Sequence, residues 1–450
     1  MFDLGIIGGG PAGYTAAERA AAHHMKVILF EENKIGGVCL NEGCIPTKAF
    51  LQSGHLFRSI HHADKFGITV NSADATIDVN KIVQRKNLIV RKMQAGVRAQ
   101  LKNDLITVKD GHANIKGKQG DIFHIECNND FFEVKHLLIA TGSREFIPPI
   151  PGIDSPSVVT HRDLLNLEHP INDLIIIGGG YIGIEFADYF NAVGTNVHIV
   201  ELKDHILEGT DQELTRILQT EYEKRGVHFY LNAQVTGIEN NTVHFKQNEE
   251  DHQLSGDKIL VSVGRVPNLE GFGLEILDIE SYRKGIRVNN LMQTSEPNVY
   301  AAGDVTGFSK LAHAAYREAS VVIHTISKIY DPMNFQTIPG CIYSDPEIAT
   351  VGLTEEALKM AWMPHRIIRL PMTYSGRFEI ENGEFSGLCK LIVGDGNEIL
   401  GVHLIGNGAG EIIASAAIAI DNKMTADQWA RTIFPHPTVN EIFREALYHV

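Results

Sequence analysis

The apolar positions of this chain fall into short runs that end on glycine, and one such arrangement occurs twice. Leu4-Gly5-Ile6-Ile7 reads as a short apolar strand. Gly8-Gly9-Gly10-Pro11-Ala12-Gly13 follows it, then an alanine-rich stretch that predicts a helix from Tyr14 to His24. The next strand, Lys26-Val27-Ile28-Leu29-Phe30, ends on Glu31. The second copy runs Leu174-Ile175-Ile176-Ile177, then Gly178-Gly179-Gly180-Tyr181-Ile182-Gly183. A helix is expected from Ile184 to about Val193, and the strand Asn196-Val197-His198-Ile199-Val200 ends on Glu201. In both copies the acid stands 18 positions after the last glycine (31 − 13 and 201 − 183).

Between and after these units the pattern changes several times. Residues from Ala49 to Gln100 read as helical, with Leu51, Leu56, Phe57, Ile82, Val83, Leu88 and Val97 as expected core positions. Ile106 to Phe132 alternates around glycines and turns, which predicts a hairpin or small sheet. His136-Leu137-Leu138-Ile139 is an apolar strand closing on Ala140-Thr141-Gly142-Ser143, and Pro148, Pro149 and Pro151 form a stiff connector. The same cadence returns from Ile259 through Gly264 to Asn268. Val299-Tyr300-Ala301-Ala302-Gly303-Asp304 puts an acid at the C-terminal end of a buried strand, where ligands sit in open α/β sheets. From Pro339 onward strands are expected at 341–343, 366–370, 387–393 and 399–404, followed by helices. The expected fold class is therefore α/β, with two Rossmann-like dinucleotide-binding domains and a C-terminal α+β domain. The expected boundaries are 1–148, 149–268, a central segment 269–337 that completes the first site, and 338–450.

Composition narrows the classes of function. At 450 residues the chain needs more than one core, and 44% hydrophobic with 21% charged residues is ordinary for a globular protein. A net charge of −15 argues against nucleic acid or an anionic membrane as partner. No apolar run reaches the roughly 18 residues of a membrane span, and Ile412–Ile420 reads as a buried helix. Met1-Phe2-Asp3-Leu4 carries neither a basic region nor a cleavage site, and five cysteines do not make a secreted disulfide framework. The expected compartment is the cytoplasm.

Each glycine unit is suited to a dinucleotide. Glycines permit the tight turn and close backbone approach to a pyrophosphate, which then lies against the unpaired N–H groups of a helix start. Glu31 and Glu201 are placed to accept hydrogen bonds from adenosine ribose hydroxyls. A carboxylate at Glu201 repels a 2′-phosphate, so NAD rather than NADP is expected there, with Lys203 nearby as the one opposing charge.

Directly after the first unit comes Gly36-Gly37-Val38-Cys39-Leu40-Asn41-Glu42-Gly43-Cys44-Ile45-Pro46-Thr47-Lys48. An ideal helix holds residues five apart at roughly 8–9 Å, while a disulfide needs Cα atoms within about 7 Å. If Cys39 and Cys44 pair, the segment is distorted, and Gly43 and Pro46 supply the means. So short a loop makes a poor staple, which favours a redox couple over two unrelated buried cysteines. Zinc needs further ligands, and none follows nearby. Near the other end stands Phe434-Pro435-His436-Pro437-Thr438-Val439-Asn440-Glu441. A histidine between two prolines has little backbone freedom, and Glu441 is placed to fix its tautomer. Of the 21 histidines, His23, His24, His61 and His62 read as surface residues.

Two dinucleotide units, the Cys39/Cys44 pair after the first and the late His436…Glu441 together resemble the pyridine nucleotide–disulfide oxidoreductases, over essentially the whole chain. Within that family the segment from Gly36 to Lys48 is most similar to the members that oxidise dihydrolipoamide. Glutathione-reducing members tend to carry Val-Pro-Lys-Lys there and arginines around the position of Glu201. Mercury-reducing members carry a further cysteine pair at the C-terminus, whereas the last cysteine here is Cys389. The resemblance implies FAD as the first cofactor and NAD as the second. It implies a FAD site of Gly8, Gly10, Pro11, Ala12, Gly13, Glu31, Lys48, Ala113, Thr141, Gly142, Ser143, Asp304, Lys310, Leu311, Ala312 and His313. For NAD it implies Gly178, Gly180, Tyr181, Ile182, Gly183, Glu185, Glu201, Val235 and Gly264. Cys39 would exchange with substrate sulfur, Cys44 would abut the flavin, Lys48 would reach the flavin and pair with Glu185, and His436 would be the acid–base oriented by Glu441. It further implies a homodimer joined through 338–450, and the lipoyl domain of a 2-oxoacid dehydrogenase or glycine-cleavage complex as partner. The alternative within the family is an NAD(P)H-dependent reductase of another small disulfide, similar to the glutathione-reducing members.

Overall fold

The computed structural model describes residues 1–282, 284–383 and 385–450. The chain divides into two compact units: residues 1–49, 80–146 and 264–333 form the first, and 50–79, 147–263 and 334–450 form the second.

The first unit is built on a seven-stranded sheet. Its elements are β1 (Phe2–Ile7), α1 (Pro11–Ala22), β2 (Val27–Glu31), α2 (Gly37–Glu42), the start of α3 (Cys44–His61), α4 (Val79–Gln100), β3 (Ile106–Asp110), β4 (Ala113–Gln119), β5 (Ile122–Cys127) and β6 (Asp130–Ile139). The strand order is β3-β2-β1-β6-β5-β4, and Val299–Ala301 pairs in parallel with β6. β2 is buried at every position, as a central parallel strand covered on both faces should be. α1 begins three residues before the alanine-rich stretch suggests, because Pro11 takes the first helical position and Gly10 caps it in extended geometry. Its buried face is Ala12, Gly13, Ala16, Ala17, Ala20 and Ala21, small enough to pack closely on the helix Ala312–Ile326.

The hairpin expected over 106–132 forms as β4 and β5, and β6 joins it to the main sheet. β6 runs ten residues, pairing antiparallel with β5 through its first half and parallel with β1 towards its end, so Val134 faces both Phe123 and Phe2. The span 49–100 is not one helical block, since α3 stops at His61 and α4 starts at Val79. Leu51 and Val97 are buried, but Leu56 and Leu88 are 57% and 61% exposed. α4 buries a narrow stripe that includes Lys86, and Leu88, two positions on, points to the opposite side of the helix.

The second unit holds a five-stranded parallel sheet in the order His228–Tyr230, Asn196–Val200, Asp173–Ile177, Lys258–Val261, Val158–Val159. The helix Tyr181–Ala192 follows the second glycine loop, again starting three residues early and again capped by an extended glycine, Gly180. A separate three-stranded antiparallel sheet (Ala233–Glu239, Thr242–Gln247, Glu250–Ser255) packs on it, with Ile238, Val243 and Phe245 against Ile175, Ile177 and Ile259. The C-terminal part is a five-stranded antiparallel sheet ordered Gly340–Ile342, Ile348–Gly352, Ile399–Ile405, Leu388–Val393, Arg366–Leu370. Its core includes Leu391, Val402, Leu404, Ala416, Trp429 and Phe443. The strand Ile348–Gly352 and the helices Glu355–Met360 and Gly376–Asn382 were not expected from the pattern. The helix Ala409–Asp421 is buried along one face only (Ala409, Ile413, Ala416, Ala419); Ile418 is 62% exposed. Among the described residues no helix is long and apolar enough to cross a membrane. The fold is α/β with two Rossmann-like parts and a C-terminal α+β part.

Candidate active site

In the first unit the glycine loop is fixed by contacts that only glycine allows. Gly8 adopts φ +107, and a Cβ on Gly13 would stand 1.8 Å from the Gly8 carbonyl oxygen. Gly10, by contrast, meets nothing nearer than the Gly37 Cα at 3.8 Å. Glu31 is pinned at the end of β2: its Oε2 accepts the Gly9 N–H at 2.7 Å and its Oε1 the Asn33 N–H at 2.8 Å. Burial raises the Glu31 carboxyl above its usual range, and those two donors oppose the shift.

The second unit repeats this arrangement. Gly178 has φ +105, a Cβ on Gly183 would lie 2.2 Å from the Gly178 carbonyl oxygen, and Gly180 faces open space. Glu201 accepts from Gly179 N–H at 2.6 Å and from Lys203 N–H at 2.8 Å. The Lys203 ammonium lies 3.5 Å from Glu208. The middle glycines, Gly9 and Gly179, are thus site residues that the sequence reading did not single out. Tight turn, open space before a helix start and an anchored acid fit the pyrophosphate and ribose of a dinucleotide in each copy.

Cys39 and Cys44 form a disulfide with Cα atoms 4.7 Å apart. The expected distortion is a complete break: α2 ends at Glu42, Gly43 takes φ −128 and ψ −106, and α3 begins at Cys44 with Pro46 and Lys48 in its first turns. Asn41, between the cysteines, donates to the carbonyls of Gly37 (2.8 Å) and Ile35 (3.1 Å), and Gln94 on α4 donates to its side-chain oxygen. Asn41 and Gln94 were missed in the sequence because nothing in their spacing marks them.

Around the end of β6, Ser143 donates to Asp304 Oδ2 at 2.5 Å, and the Arg265 guanidinium donates to the Ser143 hydroxyl at 2.8 Å. Thr141 and Asn268 exchange two hydrogen bonds of 2.8 and 2.9 Å. Lys310 donates to the Arg265 carbonyl at 2.6 Å; burial lowers its pKa against the pull of Asp304. Leu311 caps the helix that Ala312 and His313 begin. Gly142 has φ +69, and Ala113 opens β4 opposite Cys127. Gly264, expected in the second site, belongs to the first unit, where its carbonyl accepts from Phe146 N–H.

In the second unit Tyr181, Ile182 and the buried Glu185 lie on the helix after the glycine loop, and Glu185 accepts from Tyr343 N–H at 3.3 Å. Val235 sits in the separate three-stranded sheet, opposite Phe245. His436 Nδ1 is 3.0 Å from both oxygens of Glu441. Glu441 also accepts from Thr438 N–H at 3.0 Å and pairs with Arg444 at 3.0 Å. Burial pushes the Glu441 carboxyl up, but Thr438, His436 and Arg444 outweigh it and hold it below the usual range. A carboxylate on Nδ1 leaves Nε2 as the proton acceptor, and the His436 side chain is 76% exposed.

Residues 2–319 match the family described as pyridine nucleotide-disulphide oxidoreductase, and residues 338–447 match the dimerisation domain of the same name. A dihydrolipoyl dehydrogenase of Bacillus subtilis is 35% identical over 447 residues, covering 99% of this chain and 97% of that one. Its counterpart in Geobacillus stearothermophilus is 34% identical over 454 residues, covering 98% and 94%. The crystal structure of LpdA from Mycobacterium tuberculosis superposes with a TM-score of 0.91 at 26% identity, covering 99% of each chain. The HOCl-induced flavoprotein disulfide reductase RclA from Escherichia coli gives 0.86 at 27% identity, covering 100% of each. The chain belongs to the pyridine nucleotide-disulphide oxidoreductase family.

Proposed function

We propose that this protein oxidises dihydrolipoamide to lipoamide and reduces NAD+ to NADH, using FAD and the Cys39–Cys44 disulfide. The observation that carries this reading is the disulfide itself, set across the α2–α3 break directly after the first dinucleotide loop. The names of its full-length relatives support the substrate.

The chain's own groups account for the sulfur chemistry. His436 Nε2 takes a proton from a substrate thiol, and the thiolate attacks Sγ of Cys39. The Cys39–Cys44 bond breaks, and Cys44 leaves as a thiolate favoured by its place at the start of α3. The second substrate thiol then displaces Cys39, which closes the substrate disulfide and leaves a dithiol on the chain. When bound, FAD would supply the two-electron chemistry that links that dithiol to NAD+. Gly8, Gly10, Gly13, Glu31, Lys48, Ser143 and Asp304 would hold the flavin nucleotide, and Gly178, Gly180, Gly183, Glu185 and Glu201 would hold NAD. The enzyme works as a homodimer in the cytoplasm, on the lipoyl domain of a 2-oxoacid dehydrogenase or glycine-cleavage complex.

The likeness to a flavoprotein disulfide reductase favours a second reading, reduction of another small disulfide. Steady-state assays separate the two. Turnover with dihydrolipoamide and NAD+ far above that with NADPH and glutathione disulfide is expected, and the reverse order would discard lipoamide as substrate.

A further inference from the structure

One carboxyl group beneath the flavin nucleotide site takes no part in the chemistry above. Glu318, on the helix Ala312–Ile326, is completely buried, and its Oε2 accepts the Gly303 N–H at 2.5 Å. Its Oε1 has no hydrogen-bond partner among the described residues. Gly303 holds φ +81 and ψ −160, a conformation closed to other residues, and Thr306 donates to its carbonyl at 2.9 Å. The next residue is Asp304, tied to Ser143.

We propose that Glu318 is a positioning residue for the flavin nucleotide, a buried carboxylic acid that fixes the Gly303–Asp304 turn and so presents Asp304 to the cofactor. This rests on the reading that Asp304 holds FAD. A carboxylate with one oxygen unmet in an apolar interior is costly, and a proton removes the charge. Burial pushes Glu318 up to about 7, with the Gly303 N–H opposing and Asp304 adding to the shift. α1, packed on this helix, buries only alanines and Gly13; its half-buried Tyr14 meets the Tyr316 hydroxyl at 2.8 Å, and its Glu18 and Arg19 are exposed. Among the described residues Asp304 is the charged group that acts on Glu318, and Asp304 in turn acts on Lys310. Because Oε2 keeps its lone pair for Gly303, the proton resides on Oε1.

The test compares E318Q, E318A and D304A, reading the FAD Kd by fluorescence titration of the apoprotein and the unfolding midpoint between pH 5 and 8. Glutamine is the neutral isostere: its carbonyl serves Gly303 and its NH2 replaces the O–H. E318Q should bind FAD within about 2-fold of wild type, and E318A about 10-fold more weakly, the usual cost of an unmet buried donor. The raised folded-state pKa means the folded protein holds the extra proton between the unfolded value and about 7. Its stability contribution falls as pH rises across that window and is flat above it. E318Q should lack this slope. Wild-type affinity in E318A alongside loss in D304A would overturn the positioning role. E318Q failing as badly as E318A would overturn the neutral acid, and so, where E318A does not fold, would an E318Q that folds yet binds FAD poorly. D304A binding FAD normally would instead remove the reading beneath both.

Discussion

Glu201 accepts a 2.6 Å hydrogen bond from the N–H of Gly179, so the acid at the end of one strand is tied to the glycine loop that follows the neighbouring strand. With its other oxygen held by Lys203 N–H, the carboxylate is fixed in place while the Lys203 ammonium lies near Glu208. A fixed acid without a compensating cation discriminates against a 2′-phosphate. E201A should lower the NAD over NADP ratio of kcat/KM by about 1–3 kcal/mol, roughly 5- to 150-fold. A wild-type enzyme that prefers NADPH would contradict the assignment and revive the reading of a glutathione-type reductase.

His436 offers an exposed Nε2 because Glu441 holds Nδ1. H436Q should reduce dihydrolipoamide oxidation by about 10²- to 10⁴-fold, the range for loss of a general base. E441Q, which keeps the shape but weakens the anchor, should lose less. Oxidation of NADH by an artificial electron acceptor needs no thiol deprotonation, so it serves as the control. Equal losses in both assays would point to a folding defect rather than to acid–base work.

The parts of this architecture that were legible in the sequence are those dictated by sterics. Gly13 and Gly183 can be read because a Cβ would collide with the carbonyls of Gly8 and Gly178. Gly9 and Gly179 could not be read for their role, since every residue but proline offers the N–H they use. Leu88 was expected in the core because α4 is periodic, but the buried stripe contains Lys86, a residue no hydrophobic pattern selects. The fusion of the 106–132 hairpin with the main sheet depends on how far β6 continues, and strand length is set by its partners rather than by local sequence. His436 and Glu441 were legible as a pair because only five positions separate them; Glu318 and Gly303, fifteen apart and on different elements, were not.

Within the second unit, Lys390 is 1% exposed and lies 2.7 Å from Asp211, 2.7 Å from Glu355 and 3.1 Å from Glu213. The contact joins the C-terminal sheet to the cap of the helix Gln212–Lys224, since Asp211 also accepts from Glu213 N–H. K390M leaves Asp211 buried and unpaired, which costs about 3–5 kcal/mol and should lower the unfolding midpoint. Adding D211N should restore part of the loss. Burial opposes Glu355, but Lys359, Lys390 and Arg369 outweigh it and bring it down to about 2. Its contribution is therefore present above the unfolded value and lost as pH falls towards 2. K390M should flatten that acid decline, and a decline as steep as in wild type would show that the cluster does not carry it.

The last prediction concerns how one active site is assembled. Cys39 and Cys44 belong to the first unit and His436 to the second, within the part that matches a dimerisation domain. The family resemblance implies that His436 and Glu441 serve the disulfide of the other subunit of a two-fold dimer, a common and geometrically simple assembly. A heterodimer of a C44S chain and an H436Q chain tests this directly. With shared sites, one centre combines the C44S disulfide with the H436Q histidine and is dead, while the other combines two intact partners. Activity should then recover to about half of wild type although each parent homodimer is nearly inactive. If His436 instead serves its own chain, each site in the heterodimer carries one lesion and nothing recovers. Absence of recovery in a heterodimer verified by mass would therefore refute the shared site, and a monomeric variant retaining full lipoamide turnover would refute it independently.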